Sequence, residues 1–321
     1  MLLRPAELKN GRSGQSRRGL RTVWQQRQLI IMSFPFVIWV FCFRYLPLFG
    51  WVMAFQDFKL KRSVVDSFFQ ANFVGFKHFI EMFRDERFFL ALRNTLAMSV
   101  LGLTIGFVVP ILFAILINEL RNGLFKRTVQ TVSYLPHFIS WVVAAGMISQ
   151  MLASTGPVND LLISLGILKT RVVFLGEGQL FWGLVTVSDL WKETGWNAII
   201  FLAAIAGVDP GLYEAARIDG AGRFRSIWHI TLPGIMDVII VILIMNIGWF
   251  ISIGFEKQLL LGSDQVRSYS EVIDLYVLRF GIGLGRYSFG TAVGIFRSVV
   301  SLILVFSSNL LARRLGRGSI I

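Results

Sequence analysis

Glu214-Ala-Ala-Arg-Ile-Asp-Gly220-Ala-Gly-Arg-Phe-Arg-Ser-Ile-Trp-His-Ile230-Thr-Leu-Pro233 is a basic stretch set between two long apolar runs. Asp209-Pro210 just ahead of it reads as a helix start. Aspartate caps the free N–H groups and proline suits the first helical position. Gly220 reads as the end of that helix, because glycine takes the left-handed C′ conformation without a Cβ penalty. The helix between them, about ten residues long, carries one acid, Glu214, beside the small Ala215 and Ala216. Small side chains let a second protein surface approach closely. A second short helix is predicted over 223–229, and Pro233 opens the next apolar run. Taken alone, the stretch is a surface helix–turn–helix with Glu214 paired to Arg217 at i, i+3.

The surrounding chain has 321 residues, of which 55% are hydrophobic and only 16% charged. Soluble domains carry about 25% charged residues, so the composition is that of a polytopic membrane protein. The net charge of +13 gathers at the ends of apolar runs. That is the positive-inside pattern and not a nucleic-acid face. Cys42, the single cysteine, lies inside an apolar run and excludes an internal disulfide or a cysteine-based metal cluster. His78, His137 and His229 fall in three separate segments, so no metal-ligand spacing exists. No metal or other cofactor is expected in this chain.

A helix crosses a bilayer core with roughly 20 apolar residues. Six runs qualify, at about 29–50, 94–117, 131–153, 180–206, 235–255 and 289–311. The third is the cleanest, with no Asp, Glu, Lys or Arg from 128 to 159. The first contains Pro35, Pro47 and Arg44, whose side chain can snorkel to the headgroups. The expected fold is all-α, with six transmembrane helices. No repeat or second soluble domain stands out. Residues 1–28 read as a basic cytoplasmic extension, 29–321 as the membrane domain, and 207–234 as the loop within it.

Orientation follows from the short loops. The first 28 residues carry seven Lys/Arg against Glu7 alone. The 118–130 loop has Arg121, Lys126 and Arg127 against Glu119, and the tail has Arg313, Arg314 and Arg317. The segments 154–179 and 256–288 are balanced. This alternation puts both termini, the 118–130 loop and the 207–234 loop in the cytoplasm. The N-terminal segment has the basic start of a signal peptide, but its apolar run is long and lacks a small-residue cleavage site, so it reads as a retained anchor. Between about 51 and 93, Phe76, Phe79, Ile80 and Phe83 recur at helical spacing. They predict an amphipathic helix lying on the membrane surface.

Charge within the hydrocarbon is costly and faces a bundle interior or a water path. The fourth run holds Asp189, Lys192 and Glu193, then Asn197, and an Asp189–Lys192 pair within one helix would neutralise it locally. Trp191 and Trp196 in that run, with Asn246 and Trp249 in the fifth, could stack on a cyclic solute, although packing is the commoner use of such aromatics. Arg297, alone in the sixth run, either pairs with Asp189, Glu193 or Glu256, or lines a path where it meets an anionic group through bidentate hydrogen bonds. Trp191, Glu193, Asn197, Asn246, Trp249 and Arg297 are therefore the substrate-path candidates.

The 214–233 stretch also resembles the cytoplasmic loop by which permease subunits of type I ABC importers hold their ATPase. The family pattern is Glu-Ala-Ala, three residues, Gly, nine residues, then Ile-x-Leu-Pro, and Glu214, Ala215, Ala216, Gly220, Ile230, Leu232 and Pro233 fill it. Asp219 completes the candidate docking set. Arg93-Asn94-Thr95 also looks like the sugar-permease family. Phe43-Arg44-Tyr45-Leu46-Pro47, the Trp191 to Asn197 run and the Ser308 to Arg314 end resemble its complex-oligosaccharide branch, which includes the permeases of alginate and pectin-fragment importers. The likeness runs from about residue 29 to the C-terminus.

The resemblance implies a bacterial inner-membrane subunit with four kinds of partner. These are a second homologous permease, two copies of a cytoplasmic ATPase, an extracytoplasmic solute-binding protein and an oligosaccharide. The chain has no Gly-x-x-x-x-Gly-Lys-Ser/Thr loop, so ATP and Mg would be bound by the ATPase. Two other classes compete. A secondary transporter would need its own ion-coupling site, and a membrane enzyme would need a concentrated polar constellation at one face.

Overall fold

The computed structural model describes residues 26–60 and 63–314. Almost all of the basic extension at 1–28, together with Arg317 and the C-terminus, lies outside the described residues. Among the described residues the regular structure is helical, apart from one isolated antiparallel bridge between Gln56 and Phe73. It divides into two units, Met1–Met53 and Ala54–Ile321.

In the first unit, one helical run, α1 (Arg27–Phe55), carries the chain through 29 residues and into the start of the second. It accommodates Pro35 and a wide π-helical turn at Phe41–Tyr45, and the Arg27–Val40 portion buries no residue. Its side chains are apolar all round, which suits a helix surrounded by lipid or protein.

The second unit contains α2 (Lys77–Arg84), α3 (Glu86–Asn118) and three bent pairs. α4 (Gly123–Phe138) meets α5 (Trp141–Met151) at 103°, α6 (Gly178–Ala206) meets α7 (Pro210–Ile218) at 70°, and α8 (Arg223–Gly234) meets α9 (Met236–Gly248) at 59°. The last long helix is α10 (Tyr287–Arg314). Helices α1, α3 and α10 are each long and apolar enough to cross a membrane, and the three bent pairs raise the number to as many as six. All six expected runs fall on these elements.

Two of them are not the simple spans the hydropathy predicts. The third run breaks at 139–140, because Pro136 lacks an N–H and Ser140 begins a new helix by capping Val143 N at 3.3 Å. The fifth ends at Gly248, short of 255, and gives way to turns that include Gly254 at φ +80°. Lack of charge measures compatibility with lipid, not continuity of the helix.

Three buried clusters hold the second unit together. Met82, Phe88, Tyr276 and Phe289 join α2, α3 and α10. Phe181 and Val185 of α6 pack on Leu261, Val272 and Leu275. Ile111, Ala114, Phe201, Ile205 and Ile235 pack α3 on α6 and the start of α9. Where α6 crosses α4, a Cβ on Gly195 would lie 2.1 Å from the Ser133 carbonyl oxygen, so only glycine permits the approach.

The Arg93-Asn94-Thr95 run proves to be a clasp. Asn94 Nδ2 donates to the backbone oxygens of Glu271 at 2.8 Å and Ser268 at 3.1 Å, and Arg93 donates to Ser268 O at 2.6 Å. Thr95 Oγ1 accepts from Ile273 N at 2.9 Å. Buried backbone groups of the segment before α10 are satisfied this way. The predicted amphipathic helix is α2. It buries His78 and Met82 and leaves Phe76, Ile80 and Phe83 exposed.

Candidate coupling loop and central cavity

The 207–234 loop has the ends its sequence predicts. Asp209 Oδ1 accepts from Gly211 N at 2.9 Å, with Pro210 at the first helical position of α7. At the other end Gly220 has φ +74°. Gly220 N donates to Arg217 O at 3.1 Å and Ala221 N to Ala216 O at 2.8 Å, a Schellman closure. α8 runs past the expected end at 229, through a π-helical turn at Ile227–Thr231, to Gly234. The two arms are tied by a hydrogen bond of 2.9 Å between Tyr213 Oη and Thr231 Oγ1, and Arg223 stands 3.8 Å from Glu119 at the foot of α3.

No ion pair joins Glu214 to Arg217 among the described residues. Instead Glu214, Ala215, Asp219, Gly220 and Pro233 are exposed, while Ala216, Ile230 and Leu232 are half-buried. Beside them Ile218 and Phe224 are 87% and 89% exposed, and Trp228 is exposed too. A carboxylate, small alanines and exposed apolar side chains thus share one capped, cross-tied loop, a patch of the kind that meets a protein or a membrane.

The second feature is a cavity of about 590 Å³ walled by α3, α6, α9 and the 249–258 segment. Glu193, Asn197, Asn246 and Trp249 line it, as the sequence suggests, and so do Trp196, Asp189 and Lys257. Trp191 does not. It lies two residues from Asp189 and from Glu193, about 200° around the helix from each, on the opposite face of α6.

Arg297 also lies outside the lining. Its guanidinium pairs with Asp274 and donates from Nη2 to Ser252 Oγ at 2.8 Å. Ser252 itself lines the cavity, so Arg297 stands behind the wall. Neither Asp189, Glu193 nor Glu256 is its partner. Asp274 comes from a short helix, Ile273–Tyr276, inside what the sequence presents only as a charge-balanced loop.

The charges of α6 are arranged across helices too. Asp189 pairs with Lys257 and not with Lys192. Lys192 Nζ donates to Glu193 Oε1 at 3.0 Å and to the His137 carbonyl oxygen at 2.8 Å. Each lining carboxylate thus has an internal cation. Among the described residues the cavity offers indole rings and amides to a guest, and its one lysine is already engaged. His137, absent from the sequence candidates, joins this network, and so does Trp196. The signal was a polar residue beside Pro136 in an otherwise apolar run.

Residues 102–318, which contain the loop and all of the cavity lining but Met98 and Ser99, match the family model for the binding-protein-dependent transport system inner membrane component. The chain belongs to that family. It is 44% identical to the polygalacturonan/rhamnogalacturonan transport system permease protein YteP of Bacillus subtilis (strain 168), over 92% of this chain and 91% of the relative. It is 41% identical to Protein LplB of the same organism, over 90% of each. It matches the crystal structure of a bacterial ABC transporter involved in the import of the acidic polysaccharide alginate, with a TM-score of 0.83 and 39% identity over 92% of this chain and 99% of that one. A second structure of a bacterial alginate ABC transporter, in complex with an alginate pentasaccharide-bound periplasmic protein, matches with a TM-score of 0.84 and 38% identity, over 94% and 99%. The fold is that of a type I ABC importer permease, and the chain is a membrane transport subunit.

Proposed function

We propose that this chain forms half of the translocation path of an ATP-driven importer of complex acidic oligosaccharides, derived from pectin or alginate. The observation that carries the substrate class is near-full-length likeness, at 38–44% identity, to transporters named for polygalacturonan and alginate. Both are polymers of uronic acids. A second homologous permease would supply the other half of the path, and an extracytoplasmic solute-binding protein would deliver the cargo. Two copies of a cytoplasmic ATPase, holding ATP and Mg, would supply the work.

The loop at 207–234 is the docking point for that ATPase. Closure of the nucleotide-bound ATPase pair would move the loop as a rigid piece, since Tyr213 and Thr231 tie its arms and Gly220 fixes its turn. The loop leads directly into α6 and α9, two walls of the cavity. Tilting them exchanges inward- and outward-open states, a two-state rigid-body switch. In this topology the loop and both termini are cytoplasmic.

One observation favours a neutral oligosaccharide instead. The described cavity lining holds no unpaired cation to meet a carboxylate. The test is uptake by the complete complex in proteoliposomes, with an oligogalacturonide and a neutral xylo-oligosaccharide offered through the binding protein. Preferential uptake of the oligogalacturonide supports the acidic reading, and preference for the neutral sugar selects the other.

A further inference from the structure

Where the third span breaks, a chain of four side chains runs from a buried charge to the cavity. Lys192 is 4% exposed in the middle of α6. An ammonium so placed persists only when matched. Its Nζ donates to Glu193 Oε1 at 3.0 Å and to His137 O at 2.8 Å, with the Trp141 ring 5.5 Å away. Glu193 places its other oxygen, Oε2, 2.6 Å from His137 Nδ1. The His137 imidazole then lies flat on the Trp196 indole, with ring centroids 4.2 Å apart and planes within 1°. Phe138 closes on the same indole edge-on at 5.6 Å.

This places Trp196 in an unusual position. One face is backed by an imidazole that is itself fixed by a carboxylate, yet the side chain remains 41% exposed and lines the cavity. A flat indole with a held orientation, exposed at the cavity wall, matches the apolar C–H face of a pyranose ring, whose weakly positive hydrogens meet the negative quadrupole. Asn197 and Asn246 line the same cavity and supply amides for the hydroxyls at the ring's rim. Few placed polar groups around an aromatic wall is the usual build of a small-ligand site.

We infer that Trp196 is a stacking platform for a sugar ring in the transport path, and that His137 positions it, braced by Glu193 and Lys192. This rests on the oligosaccharide reading above. His137 is a positioning residue that acts through the indole. Lys192 acts twice, orienting the Glu193 carboxylate and fixing the backbone at the break through the His137 carbonyl.

The experiment uses the complete complex in proteoliposomes, with oligogalacturonide and xylo-oligosaccharide as probes, and compares variants that co-purify with the ATPase as the parent does. Trp196→Ala and His137→Ala should each lower uptake of whichever probe the parent carries by about tenfold, the scale of losing an aromatic anchor. Trp196→Tyr, which keeps a ring, should retain most uptake. In the Trp196→Ala background, His137→Ala should add no further loss, because coupled residues are not additive. If His137→Ala does not assemble, His137→Gln, which loses the ring but keeps a partner for Glu193, should show the same loss.

Parent-level uptake by Trp196→Ala overturns the platform while the oligosaccharide reading stands. Losses that add fully in the double variant overturn the positioning role. A parent that carries neither probe overturns the substrate reading and this proposal with it.

Discussion

Asp85 shows how a single side chain is committed by its neighbours. It caps α3 through Arg87 N at 3.0 Å, pairs with Arg87 Nη2 at 2.9 Å and accepts from Tyr276 Oη at 2.7 Å. Burial works to raise its pKa, but the hydrogen bonds from Arg87 and Tyr276 prevail and hold the carboxyl below its usual range. Burial, with the Asp85 carboxylate beside it, pushes the Tyr276 phenol up. A depressed carboxylate stabilises the fold above its unfolded pKa of about 4. That contribution is lost as the pH falls through the folded value. Asp85→Asn keeps a capping side chain, so it isolates the charge. Its thermal midpoint in detergent should lie below the parent's at pH 7, and the gap should close as the pH falls through the folded value, below about 4. A gap that is constant with pH would contradict the assignment.

Other residues at this scale were only half legible. Glu193, Asn197, Asn246 and Trp249 were found as polar or aromatic interruptions of apolar runs, and they do face one cavity. Trp191 was misread because composition does not say which face of α6 is wet. The partners of Asp189 and Arg297, Lys257 and Asp274, lie 68 and 23 residues away in sequence. Spacing rules for one helix cannot reach them.

At the scale of elements, the ends of α7 were fully readable because capping is local chemistry. Asp209, Pro210 and Gly220 do what their side chains dictate. Gly220→Val should cost about 1 kcal/mol or more, since a β-branched residue resists φ +74°. The loss should appear as weaker ATPase co-purification at unchanged membrane insertion. Equal co-purification would show that the loop tolerates another turn. Gly195→Val tests a different element contact. Its Cβ would meet the Ser133 carbonyl at 2.1 Å, and overpacking of this kind costs about 1–3 kcal/mol. A lowered thermal midpoint is expected, and an unchanged one would mean that α4 and α6 separate freely. The break at 139–140 escaped the hydropathy reading although Pro136 and Ser140 marked it. A window average sees apolar content and is blind to a missing N–H.

At the scale of the whole molecule, we propose that both ends are cytoplasmic, on the basic bias of alternate loops and up to six candidate crossings. A reporter fused after Ile321 should be cytoplasmic, and one inserted near Gly176 should lie on the opposite side. The reverse result would remove the loop from the compartment of its ATPase. The fold class was legible from composition alone. The partners were legible only through the resemblance of the 214–233 stretch, and docking of an ATPase at 207–234 is our proposal.

The central claim is that this permease works only through an ATPase held by that loop. Proteoliposomes containing the assembled complex and loaded binding protein can be given either ATP-Mg without ion gradients or ion gradients without ATP. Uptake should occur with ATP alone, and Glu214→Lys should abolish it together with ATPase co-purification while leaving the permease inserted. Uptake driven by an ion gradient without the ATPase, or full ATP-driven uptake by Glu214→Lys with the ATPase still bound, would contradict the account.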